Sequence, residues 1–242
     1  MSEKIHGFIY EKDADGIVTL TMDMDGPVNS MNSQYRQAMA EVAGKLEAEQ
    51  GLTGVVLASA KSTFFAGGDL QELSSVPKGE EEAQFRMIED EIKAPLRRLE
   101  KLEVPVVAAI NGAALGGGLE ICLACNHRIA WDSPKIVVGL PEVTLGLLPG
   151  GGGVVRSIHM LGLEKALPFL LEGTKFKAAE ALNAGYVDQL VENADDLIPV
   201  AKTWIKENPQ AAAQPWDGAE GLEWTVPSPA PYHTFATPPE VK

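Results

Sequence analysis

The chain has 242 residues and sets 20 Lys and Arg against 34 Asp and Glu, a formal net charge of −14. That balance argues against a general nucleic-acid or anionic-membrane surface, and two cysteines in this length argue against a disulfide scaffold. The length suits one large domain, or a core with an appendage, which can bury roughly 70–75% of its unfolded surface without staples.

Residues 7–12 and 16–24 read as two short strands around the polar turn Asp13-Ala14-Asp15. After MDGPVNSMN (24–32), Asn32 or Ser33 can cap a helix. Met39, Val42, Ala43 and Leu46 recur there at i, i+3, i+4 and i+7, which predicts a face turned to the core. Residues 55–58 read as a buried strand, so strand, helix and strand imply a parallel pair with a right-handed crossover. In the following FFAGGDL (64–70), Gly67-Gly68 frees the backbone after a strand, and Asp69 can cap a short helix over 70–73. Residues 76–82 read as a solvated loop and helix start. Phe85, Ile88, Ile92, Leu96 and Leu99 then mark a helical stripe that Pro95 is expected to kink.

The stretch from Pro105 to Arg156 organises the rest. Residues 106–110 are β-branched or small and apolar throughout, the pattern of a strand covered on both faces. Gly116, Gly117 and Gly118 follow, and residues 119–124 fit the first turns of a helix. Such a turn aims free N–H groups and the positive end of a helix dipole at whatever lies above it. Glu120 lies in that first turn, and Glu142 follows Leu140-Pro141 22 positions later. If a hairpin or crossover brings them together, they form an acid/base pair beside backbone donors, each able to stabilise an oxyanion by about 3–4 kcal/mol. A glycine-rich strand-to-helix turn followed by glutamate is more often fold punctuation than catalysis, and these residues alone leave both readings open. Cys122 and Cys125 have C-x-x-C spacing, but with no second ligand pair and no thioredoxin-like strand they read as buried structural thiols.

Gly150–Gly153 precede a further helix start at Val154-Val155-Arg156. GLEKALPFLLEG and KFKAAEALNAG continue as helices, the second stopped by Gly185. Residues 186–191 read as a short returning strand and 195–207 as one more helix. The domain is expected to span 1–208, followed by a Pro-rich tail or linker over 209–242. No G-x-S-x-G elbow is present to pair with His127 or His159, and GGGLEI does not satisfy G-x-G-x-x-G, so neither a serine hydrolase nor a dinucleotide site is expected.

NGAALGGGLE and LPEVTLGLLPGGGG, taken with FFAGGDL, MDGPVNSMN and FKAAEALNAGYVDQLV in the same order, resemble the crotonase superfamily of enoyl-CoA hydratases and isomerases over residues 8–208. KTWIKENPQAAAQPWD extends the likeness to the hydratase/isomerase module at the N-terminus of multifunctional fatty-acid oxidation proteins. The resemblance implies an α/β fold, a crotonase-like (ClpP/crotonase) repeated ββα superhelix with twisted sheets backed by helices. It implies assembly as a homotrimer or hexamer, or a place as a fragment of a larger multifunctional protein. Glu120 and Glu142 match the family's catalytic pair, and the N–H groups of Gly68 and Gly117 match its oxyanion hole. Ala66, Gly68, Asp69, Leu70 and Gly117 are implied as substrate-binding residues.

The implied activity is addition of water to a 2-enoyl-CoA to give a 3-hydroxyacyl-CoA in β-oxidation. Isomerisation of 3-enoyl to 2-enoyl-CoA through Glu142 is the second activity, and a non-catalytic acyl-CoA-binding or assembly module is the alternative. Neither a metal nor a separate cofactor is implied, because coenzyme A is part of the acyl-CoA thioester substrate. Gly26 stands where the family commonly has a basic residue, and the Pro-rich stretch stands where its closing helices usually follow. An anionic substrate needs local lysines, for which Lys61 is one candidate and equally reads as a solvated loop residue. No nucleic acid and no membrane is expected as a partner. MSEKIHGFIYEKD lacks a hydrophobic signal core, no apolar run approaches ~18 residues and EVK is not a peroxisomal address, so the expected location is cytoplasmic.

Overall fold

The computed structural model describes residues 2–217 except 76 and 78; the remainder of the expected tail, 218–242, lies outside the described residues. Strands β1 (Ser2–Ile5), β2 (Phe8–Lys12) and β3 (Ile17–Met22) form an antiparallel edge. Helix α1 (Ser33–Ala48) crosses to β4 (Gly54–Ser59), which pairs with β3 in parallel, as the apolar runs require. Asn32 caps α1 by accepting from the Tyr35 N–H at 3.0 Å. Asp69 caps α2 (Leu70–Ser74), and α3 (Glu81–Met87) leads into a π turn over Ile88–Lys93 and then α4 (Ala94–Glu100).

At the expected kink the chain winds as a π turn. The Ala94 N–H reaches back five residues to the Glu89 carbonyl, and the widened turn accommodates Pro95, which has no N–H to give. Phe85 also leaves the stripe, being 69% exposed, whereas Leu96 and Leu99 are buried in the core.

Strand β5 (Val106–Ile110) is followed by β6 (Ala114–Leu115), α5 (Gly117–Leu123), β7 (His127–Trp131) and β8 (Val138–Gly139). A 3₁₀ turn over Pro141–Leu145 leads to α6 (Gly153–Leu161), α7 (Leu163–Glu172), β9 (Lys175–Phe176), α8 (Ala178–Ala184), β10 (Gln189–Val191) and α9 (Leu197–Glu207). The main sheet runs β1-β2-β3-β4-β5-β7-β10, parallel from β3 onward. Period two sorts its side chains. Val18, Leu20, Val55, Leu57, Val106 and Ala108 join α1, α4 and α5 in one core, while Ile17, Val56, Val107 and Ile129 face Leu197, Ala201 and Ile205 of α9. Gly54 lets α9 lie directly on the sheet, because a Cβ there would come 2.4 Å from Ile205 Cγ2.

A second sheet, β6-β8-β9, is small and decisive. Its strands are two residues long and β6 and β8 run parallel, Leu115 opposite Gly139. Phe65 bridges Ala114 on the other side. Three chain segments therefore leave one ladder in the same direction, entering 66–69, 116–120 and 140–142 side by side. Of the stretch from 209, residues 209–217 pack on this body: Asn126 donates to the Ala212 carbonyl, and buried Gln214 donates to that of Ala124.

Candidate active site

The parallel pairing of β6 with β8 is the crossover that the sequence left open. The Gly116 N–H closes it on the Gly139 carbonyl at 2.8 Å, and both glutamates emerge just beyond. Glu120 on α5 and Glu142 on the 3₁₀ turn line one cavity of about 650 Å³. Ala66, Gly68, Asp69, Leu70 and Gly117 line it as well, so the residues implied by resemblance converge.

Close approach explains the glycines. At Gly116, φ is +54° and a Cβ would sit 2.7 Å from Glu142 Oε1, so a side chain there would strain the backbone and displace the carboxylate. Gly118 lets α5 touch the Phe65 carbonyl, where a Cβ would come within 2.4 Å. The N–H groups of Gly68 and Gly117 are left out of the backbone pattern among the described residues. Gly117 opens α5 and has no carbonyl a turn earlier, while the bridge from Met31 to Gly68 runs through the Gly67 carbonyl and the Asp69 N–H. Donors left free at the mouth of a cavity can take a negatively charged oxygen.

The two carboxyls differ in setting. Glu120 is 2% exposed, and burial raises its pKa, although the Gly153 N–H (2.8 Å from Oε1), the Gly151 N–H and the Arg156 charge favour its ionised form. Glu142 is half-buried and pushed up to about 7, first by burial and then by the charge of Glu120, against a pull from its own backbone N–H. Its Oε2 is buried without a partner among the described residues. One carboxyl held by the backbone and one poised near neutrality can exchange protons with a small molecule placed between them.

The predicted wall is made partly of backbone. Asp69 Oδ1 accepts from the Gln71 and Glu72 N–H groups, and Leu70 is 54% exposed at the rim. Lys61 is not among the lining residues; it pairs with Asp23 at 2.9 Å. Cys122 lies on α5 and Cys125 just past its end, both buried, free thiols whose pKa burial pushes up. Sequence reasoning missed the grip of Gly151 and Gly153 on Glu120, having read the glycines at 150–153 only as a helix start. Four glycines exceed what one helix start needs, and that excess was the available signal. It also missed Met31, whose Sδ and Cε fill the space beside Gly117, and Asn29. Asn29 is fully buried and donates to the Phe64 carbonyl and Ser59 Oγ, fixing the chain that leads to Gly68.

Known proteins resemble the chain in sequence and fold. A family model described as enoyl-CoA hydratase/isomerase matches residues 12–217. The chain is 42% identical over 179 residues to the fatty acid oxidation complex subunit alpha of Shewanella loihica, covering 73% of this chain and 25% of that protein. It is 40% identical over 200 residues to the Shewanella frigidimarina protein of the same name, covering 82% and 28%. The chain thus spans about a quarter of the length of these curated relatives. The crystal structure of an enoyl-CoA hydratase from Bacillus anthracis superposes with a TM-score of 0.74 at 29% identity, covering 83% of this chain and 76% of that one.

Proposed function

The chain belongs to the enoyl-CoA hydratase/isomerase family, and from that premise we propose that it hydrates 2-enoyl-CoA thioesters to 3-hydroxyacyl-CoA in fatty-acid β-oxidation. The observation that carries the reading is the delivery of Glu120 and Glu142 into one cavity, beside the free N–H groups of Gly68 and Gly117. The thioester carbonyl accepts from those two N–H groups, which makes the β-carbon electrophilic and stabilises the enolate that forms. Water held between the two carboxyls adds its oxygen to the β-carbon. It gives up one proton to a carboxylate while the partner carboxyl delivers one to the α-carbon, so the pair ends with the protons it began with. Apparent pKa values belong to the pair rather than to either residue. General acid–base help of this kind contributes typically 10²- to 10⁴-fold.

The near-neutral Glu142, with one carboxyl oxygen unpartnered among the described residues, also suits withdrawal of a proton from C2 of a 3-enoyl thioester and its return at C4. That supports 3-enoyl to 2-enoyl isomerisation as a second activity of the same site. No separate cofactor enters either step. The homotrimer or hexamer, the place within a larger multifunctional protein and the cytoplasmic location belong to this proposal too. That the match covers about a quarter of its curated relatives' length supports the second of these. Among the described residues no helix is long and apolar enough to cross a membrane.

The test follows loss of the conjugated enoyl-thioester absorbance with crotonyl-CoA and a longer 2-enoyl-CoA, with Glu120→Gln and Glu142→Gln as controls. Decay in the wild type that both substitutions abolish is the expected result. Binding by calorimetry without decay would replace the hydratase with a thioester-binding module.

A further inference from the structure

We propose that Arg156 and Glu100 form a positioning pair for Glu120, fixing the glycine turn that grips its carboxylate, and that Asp217 locks this pair from the chain segment after α9. For its kinetic readout the inference rests on the hydratase reading. Arg156 lies in the first turns of α6 and is 7% exposed. Its Nη1 donates to the Gly151 carbonyl at 2.6 Å and its Nε to Glu100 Oε1 at 2.6 Å. On its other side the same turn presents the Gly153 N–H to Glu120 Oε1 at 2.8 Å, with the Gly151 N–H also on that carboxylate. Gly152 closes the turn at φ +104°, where a Cβ would be 2.2 Å from Arg156 Nη1. The guanidinium therefore fills the inside of the turn whose outside holds the catalytic candidate.

Glu100, 3% exposed, is held in turn. Arg97 Nη1 donates to its Oε2 at 2.8 Å and to Asp217 Oδ2 at 3.0 Å, Arg97 Nη2 donates to Asp217 Oδ1, and Lys101 pairs with Asp217 at 3.0 Å. A buried ion pair adds little net stability, because desolvation offsets the attraction. What a guanidinium adds here is a rigid planar fork that holds a carbonyl and a carboxylate in fixed relative positions, which an apolar filler cannot do and an ammonium on a flexible stem does without that geometry. The other titratable groups that act on Glu120 are Glu142, Lys93 of the π turn and Tyr35 of α1.

Arg156→Lys keeps the charge and removes the fork. The variant is expected to fold, to keep KM for crotonyl-CoA within about threefold and to lose about 10- to 100-fold in kcat. The Glu120 titration should move to higher pH, since weaker N–H contacts disfavour the carboxylate. Asp217→Asn, acting through Arg97, should move it the same way by less. A ¹³C-carboxyl NMR titration, with Glu120 assigned by its loss in Glu120→Gln, reads that movement without turnover. A wild type that fails to hydrate therefore sinks the hydratase reading and leaves this one standing. A folded Arg156→Lys whose Glu120 titrates as in the wild type overturns the positioning role. Should Arg156→Lys not fold, an unmoved titration in Asp217→Asn overturns it.

Discussion

Replacing Glu142 with Gln removes an ionisation while leaving the shape nearly unchanged. The Glu142 carboxyl is pushed from the ordinary 4.5 up to about 7, by burial first and by the charge of Glu120 after it. An acid whose pKa is higher folded than unfolded keeps its proton in the fold. Its favourable contribution is full below about pH 4.5 and is lost as the pH rises through about 7. The whole displacement corresponds to about 3 kcal/mol. Glu142 is partly open to the cavity, and screening reduces this to about 1–2 kcal/mol. Urea unfolding of the wild type and Glu142→Gln should therefore nearly coincide at a pH close to 4.5. At pH 8 the variant should be the more stable by that amount, with unchanged m-value. The reasoning is refuted by a stability difference that stays constant across this range. The same substitution should cost about 10²- to 10⁴-fold in hydration, so the more stable protein would be the less active one.

Gly116→Ala forces a Cβ to within 2.7 Å of Glu142 Oε1 at a φ of +54°. It should lower stability by about 1–3 kcal/mol and abolish turnover, as read by thermal unfolding and the enoyl absorbance. Lys61 is already paired with Asp23 and stands outside the cavity lining, so Lys61→Ala should change KM for crotonyl-CoA less than about threefold; a rise beyond tenfold would return it to substrate binding. The thiols of Cys122 and Cys125, buried and held protonated, should resist an aromatic disulfide reagent in the native protein and react after unfolding. Rapid native labelling would contradict their burial.

The main sheet was legible because its chemistry is local. Residues 106–110 announce a doubly covered strand, Asn32 and Asp69 are capping residue types at helix starts, and the glycine-rich turns are marked by composition. Where the signal was weak, the reading stopped. Strand β1 has mostly polar, exposed residues and runs along an edge, and β6, β8 and β9 are too short to carry a period. Yet that small sheet is what unites Glu120 with Glu142, which is why the pair stayed conditional in the sequence. The link from Glu100 to Arg156 spans 56 positions, and each residue alone reads as a solvated charge. Asp217 was hidden for a different reason: proline content marked its segment as a tail, and composition does not report what an irregular segment packs against.

The π turn before Pro95 opens a route to redesign. Met87, Ile88 and Ile92 reach the cavity from the segment that winds five residues back instead of four, and this segment contributes no strand to either sheet. Deleting one residue from Ile88–Lys93 would restore ordinary helical winding and swing the preceding side chains about 100° around the axis relative to α4. The lining would change identity while Glu120, Glu142 and the glycine turns kept their coordinates. On the proposed hydratase reading, acyl preference is then expected to follow the winding of one helix, separately from the bond being made.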